Sequence, residues 1–126
     1  MILNKGLMRN PKATLALSMF TVCVMLSVTP AYSGSGQGFR TEHLLQDHFD
    51  RHRHEFGTIT RQQYLHLAQQ LRDSHVGKDI LESKRPDAII RFDRRHGYFG
   101  VYETDGTIRT FFIPPDGIRF FERESR

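Results

Sequence analysis

The opening of this chain does most to limit what the rest can fold into. Lys5, Arg9 and Lys12 precede Ala13 to Val28, an almost wholly apolar or small run that Pro30 breaks, and no acidic residue lies among them. A basic start, an apolar run and a small-residue exit, here Ala31-Tyr32-Ser33, form the pattern of a secretory signal peptide. Cleavage after Ser33 is expected, with Gly34-Ser35-Gly36-Gln37-Gly38 as accessible backbone beyond it. An uncleaved anchor competes with that reading, but the run of about 16 residues falls short of the ~20 that span a bilayer. Cys23 lies inside the run and precedes Val24 rather than a small polar residue, which argues against a lipid anchor. The remainder is expected in the periplasm or medium, without stable membrane association.

Removing residues 1–33 from 126 leaves 93, enough for one core and too few for two domains. Residues 34–39 are expected as a flexible linker and residues 40–126 as the folded domain. The sole cysteine departs with the signal, so packing rather than a disulfide must hold the domain. Three of the 18 basic residues and none of the 14 acidic ones lie in the first 33, so 15 stand against 14 and the net charge is +1. Charge alone therefore does not argue for nucleic acid. All seven histidines lie in the expected domain, four of them at positions 43, 48, 52 and 54.

From Thr41 apolar residues recur at helical spacing, predicting a first helix that ends by Gly57, with Gly57 as its left-handed terminator. Thr60 and Gln63 form a capping-box pattern, and Tyr64, Leu67, Ala68 and Leu71 share one face, predicting a second helix from Arg61 to about Ser74. Ile80 and Leu81 read as anchors of a connecting turn, and Lys84-Arg85-Pro86-Asp87 as punctuation. Four strands are then expected at Ala88–Asp93, Tyr98–Thr104, Thr107–Pro114 and Ile118–Glu122. The predicted fold class is α+β, two helices packed on a four-stranded antiparallel meander.

Asp105-Gly106 suits a two-residue type I′ turn. That turn sets Val101 opposite Thr110 and gathers Phe99, Val101, Ile108, Thr110 and Phe112 on one face. Tyr98, Tyr102, Phe111 and Ile113 take the other. One apolar face can pack the helices while the second offers aromatic surface to a partner. Thr110 is either a hydroxyl of functional interest among apolar neighbours or simply a good strand former.

His48 and His52 stand four apart, so their rings meet on one helix face. They can form a metal pair, solvated helix-end histidines or acid/base groups. Zinc sites of the helical two-histidine type place Glu after the first His, where this chain has Phe49. A third ligand would have to come from His54, Glu55 or His96 without a recognised spacing. No metal or cofactor is expected. Glu55 can orient His52 or cover the helix end, and Arg94-Arg95-His96 is either a phosphate grip or a solvated hairpin tip.

The run His48-Phe49-Asp50-Arg51-His52-Arg53-His54-Glu55-Phe56-Gly57, followed by a second helix and by Asp105-Gly106-Thr107-Ile108-Arg109-Thr110-Phe111-Phe112-Ile113-Pro114, resembles the nuclease domain of colicin D and its relatives. These are bacterial and phage toxin ribonucleases with a barnase- or EndoU-like fold. The resemblance covers nearly all of residues 40–122 in the same order. It implies His52 at the catalytic position, His48 at the earlier His, Arg51 at the adjacent basic residue, and Thr110, Phe112 and Pro114 at the hydroxyl, aromatic and proline of the late strand. The family's lysine beside the first His is replaced by Phe49, leaving Arg51, Arg53 or Arg91 to supply that charge.

The resemblance implies an exported, toxin-like, metal-independent endoribonuclease acting on RNA of the tRNA type, with an immunity protein as a further partner. Histidine suits transfer of the 2′-hydroxyl proton, Arg and a hydroxyl suit the charge on phosphorus, and Phe112 offers a base a stacking surface. Core packing is the equal alternative for Phe112. The alternative function is a non-enzymatic periplasmic binding or interaction module of the same fold.

Overall fold

The computed structural model describes residues 37–126. The expected signal peptide and its cleavage site lie outside the described residues. Helix α1 spans Glu42–His52, a 3₁₀ turn follows over Arg53–Phe56, and helix α2 spans Arg61–Asp73. Strands β1 (Ile80–Arg85), β2 (Ala88–Asp93), β3 (Phe99–Tyr102) and β4 (Ile108–Phe112) form an antiparallel meander in chain order, and helix α3 (Ile118–Glu124) ends the domain. Among the described residues no helix is long and apolar enough to cross a membrane.

Both long helices start where local chemistry supplies an acceptor for their free N–H groups. The Thr41 side chain accepts from Leu44 N–H at 3.1 Å. At α2 the Thr60 hydroxyl accepts from Gln63 N–H at 3.1 Å while the Gln63 side chain accepts from Thr60 N–H at 2.8 Å, a complete capping box. Gly57 follows the 3₁₀ turn with φ 76° and ψ −144°; the positive φ favours glycine, but the ψ is not that of the left-handed helical terminator expected there.

Leu45 and Phe49 of α1, Tyr64, Ala68 and Leu71 of α2, and Tyr102, Ile108 and Phe111 of the sheet make one buried core. Two phenols tie α2 to the sheet: Tyr64 donates to the Phe111 carbonyl, and Tyr102 donates to the Ala68 carbonyl at 2.7 Å. Burial pushes both hydroxyls above their ordinary pKa. Gly100 makes room for this arrangement, since a Cβ there would stand 2.4 Å from the Tyr102 hydroxyl.

Several expectations are corrected. The segment Ile80–Arg85 is a strand rather than a connecting turn, pairing Ile80 with Asp93 through Arg85 with Ala88. Its polar content fits an edge strand, where charged side chains discourage further pairing. The segment Ile118–Glu122 is helical rather than a fourth strand. Pro114 and Pro115 lack N–H donors and stop the ladder. Phe121 of α3 then stacks on Phe92 at 6.0 Å, and Phe120 meets Phe99 edge-on at 4.8 Å. The sheet face expected to offer aromatic surface to a partner is therefore covered by α3, with Ile90, Phe92, Phe99 and Phe121 as its buried core.

A further correction concerns the last hairpin. Gly106 N–H donates to the Glu103 carbonyl and Glu103 N–H to the Thr107 carbonyl, leaving a three-residue loop, Thr104 to Gly106, in place of a two-residue turn. Tyr102 pairs with Ile108, and a bulge restores Val101 opposite Thr110 and Phe99 opposite Phe112. Ile108 consequently joins the core under α1 and α2 while Phe112 stays on the α3 side.

Gln37 to Phe39, read from sequence as the end of the linker, are fastened to the domain. Ile108 N–H donates to the Gly38 carbonyl at 2.9 Å, Thr107 Oγ1 donates to Gln37 Oε1 at 3.0 Å, and the Phe39 ring lies 6.3 Å from that of Tyr64.

Candidate active site

The last turn of α1 and the edge strand β4 meet at His52. Its ring lies over Phe112 with centroids 5.2 Å apart and planes 22° off parallel. The 3₁₀ turn after α1 winds tightly enough to bring Glu55 back to the ring, and Glu55 Oε1 stands 2.9 Å from His52 Nδ1. The other carboxylate oxygen accepts from Ile113 N–H at 2.8 Å. Glu55 thus clamps the imidazole to the end of β4. A carboxylate accepts, so the Nδ1–H points at Glu55 and Nε2 is the ring nitrogen turned away from it. In the neutral ring that tautomer leaves Nε2 able to take a proton.

Thr110 lies two residues before Phe112, on the same face of β4, half-buried. Its hydroxyl has no hydrogen-bond partner among the described residues. His48 lies one turn before His52, ring centroids 6.2 Å apart. Its Nδ1 faces the Leu44 carbonyl at 2.9 Å and its ring leans on Phe39 at 4.8 Å. Burial pushes its pKa below the ordinary imidazole value, favouring the neutral form. His48, His52, Glu55 and Phe112 therefore gather where α1 runs beside the β4 edge, with Thr110 two residues earlier on that strand.

The remaining basic candidates do not join them. Arg51 pairs with Asp47 one turn earlier on the exposed side of α1. Arg53 sits over the Phe49 ring at 5.8 Å. Arg91 is held at the C-terminal end of α2, where it donates to the Leu71 carbonyl at 3.2 Å and the Ser74 carbonyl at 2.5 Å and meets Glu82 at 2.6 Å. In this structure its guanidinium caps a helix. Phe112 is half-buried and packs against Phe99 and Phe120 as well as His52, so much of its ring is enclosed.

Sequence reasoning left Glu55 open and passed over a second pair of the same spacing. Asp93 Oδ2 stands 2.7 Å from His96 Nδ1, and Asp93 Oδ1 accepts from the N–H groups of Arg95 and His96. In both cases the signal is a carboxylate and a histidine three residues apart at the end of an element. Among the described residues no three His, Cys, Asp or Glu side chains converge as a group able to hold a metal ion. No protein-family model matches the chain, and no curated protein is significantly similar to it.

Proposed function

We propose that this protein is an exported, toxin-like endoribonuclease that needs no metal and cuts RNA, of the tRNA type, through attack of the RNA's own 2′-hydroxyl. The observation that carries the reading is the His52–Glu55 clamp at the end of β4, which holds the imidazole through Nδ1 over Phe112, two residues along the strand from Thr110. His52 takes the proton of the 2′-hydroxyl, the 2′ oxygen bonds to phosphorus, and the bond from phosphorus to the 5′ oxygen breaks. The leaving oxygen takes a proton from solvent. Thr110 donates to a phosphoryl oxygen as charge develops there. The products are a 2′,3′-cyclic phosphate and a 5′-hydroxyl, and DNA survives because it lacks the attacking group. An immunity protein would protect a producing cell by covering His52. Incubating the domain with total RNA and mapping the product ends tests the reading; cleavage of DNA at a comparable rate would overturn the mechanism.

A second reading is a periplasmic binding module of the same fold. It draws support from Arg91 and Phe112, two substrate candidates engaged in helix capping and ring packing. A folded domain that leaves total RNA intact while retaining a ligand would put this reading first.

A further inference from the structure

Near-neutral domains attract polyanions only where their cations stand free of carboxylates. In this domain most arginines do not. Arg40 meets Glu103 at 2.5 Å, Arg61 meets Glu42 at 3.4 Å, Arg91 meets Glu82 at 2.6 Å, Arg109 meets Asp87 at 3.0 Å, and Arg123 meets Asp116 at 2.5 Å. The end of the sheet where β1 begins and β2 turns into β3 differs. Lys78, Arg94 and Arg95 are exposed and make no ion pair among the described residues. Lys78 and Arg95 line a cleft of about 440 Å³ together with His75 and His96.

The two carboxylates at this cleft offset those charges only in part, two against three. Asp93 is buried, and its oxygens are occupied by the His96 ring and two backbone N–H groups. Asp79 balances one cation, and its carbonyl accepts from Arg94 N–H at 2.8 Å, fixing the basic turn beside the start of β1. A chain of contacts leads from the cleft toward the candidate active site. A Cβ on Gly97 would touch Ile113 Cγ2 at 3.7 Å, and Ile113 N–H is the group that Glu55 holds. The His96 ring stacks on Tyr98 at 5.1 Å, and Tyr98 meets Phe56, the neighbour of Glu55, at 5.5 Å.

We infer that Lys78, Arg94 and Arg95 form a phosphate-binding subsite that grips the backbone of single-stranded RNA flanking the bond presented to His52. The inference rests on the ribonuclease reading for the identity of the polyanion. Cations gripping phosphates release condensed counterions, so affinity falls with salt by about 0.7 logarithmic units per logarithmic unit of salt for each contact to a single strand.

The test uses a fluorescent single-stranded 2′-O-methyl oligoribonucleotide, which lacks the free 2′-hydroxyl and stays uncut. Its Kd is measured by anisotropy across a salt series. Replacing Lys78, Arg94 and Arg95 together by serine should weaken binding at least tenfold and lower the salt slope by about 2, the sum of three such contacts. Arg119→Ser, which removes an exposed cation on α3, should change neither. Thermal unfolding verifies that the triple variant folds; the single variants Lys78→Ser and Arg95→Ser, each expected to lower the slope by about 0.7, decide the matter should it not. An unchanged Kd and slope in the variants, equal loss in Arg119→Ser, no binding by the wild type at low salt, or preferential capture of an acidic peptide would each overturn the subsite. The two readings fail separately. Binding with the expected slopes but without RNA cleavage leaves the subsite standing and removes the ribonuclease. Cleavage with kcat/KM unaltered in the triple variant does the reverse.

Discussion

Two histidines in this domain are held by a carboxylate three residues away through Nδ1, at 2.9 Å for His52 and 2.7 Å for His96, yet the pairs do different work. Asp93 is a turn builder: it is buried, bonds two backbone N–H groups, and holds an imidazole whose side chain remains 57% exposed. Glu55 makes one backbone bond, to a strand distant in sequence, and its imidazole is only 20% exposed. The i,i+3 spacing is therefore not itself a site. What sets the His52 pair apart is a second element, the β4 strand, which supplies Phe112 as a wall to the ring and leads into Ile113, whose N–H binds Glu55.

Removing each ring in turn separates the two pairs. His52→Ala should lower RNA cleavage about 10² to 10⁴-fold, the usual contribution of one acid/base side chain, with unfolding temperature little changed. His96→Ala should leave kcat within a few-fold and act on KM, because its ring borders the cleft rather than the dyad. Equal loss of kcat in both folded variants would erase the distinction.

Removing the carboxylates reverses the order of damage. Asp93→Ala strands two N–H groups in the β2–β3 turn and should cost about 1–3 kcal/mol of stability, read by denaturant unfolding. Glu55→Gln keeps an acceptor for Ile113 N–H and should cost much less stability. It withdraws the negative charge from His52, and because that pair is partly exposed the expected loss in kcat is about tenfold, roughly 1.4 kcal/mol. A Glu55→Gln variant with full kcat would make Glu55 a strand cap and nothing more.

How much of this was readable from residues alone follows the range of the interaction. The α2 capping box uses residues three apart, and Thr60 and Gln63 state it openly. The pairing of Val101 with Thr110 was also legible, though through a turn of the wrong length, since the extra loop residue and the bulge offset each other. Strand β1 was not, because Glu82, Ser83, Lys84 and Arg85 resemble a loop until β2 lies beside them. Helix α3 was hidden by its Ile and Phe content, which suits a strand as well as a helix that must cover an apolar sheet. At the site, the ring positions of His48 and His52 followed from helical spacing. The role of Glu55 did not, because it depends on Ile113, far along the chain.

The smallest expected effect separates His48 from both held histidines. It has no carboxylate partner on Nδ1, only the Leu44 carbonyl, and burial lowers its pKa from the ordinary 6.5. The unfolded chain therefore binds a proton at this position at higher pH than the folded domain does. Where the unfolded state binds more protons, stability rises with pH. The contribution of His48 is thus fully present above about 6.5, the unfolded value, and is lost as pH falls from there toward the lower folded value. His48→Gln keeps an amide able to reach the Leu44 carbonyl and removes the titration. Urea unfolding of the two proteins across that range should show the variant losing less stability on acidification, with the difference between them vanishing above neutrality. A wild type that gains stability relative to His48→Gln as pH drops would mean that His48 binds its proton more tightly when folded, through a negative partner such as Asp47.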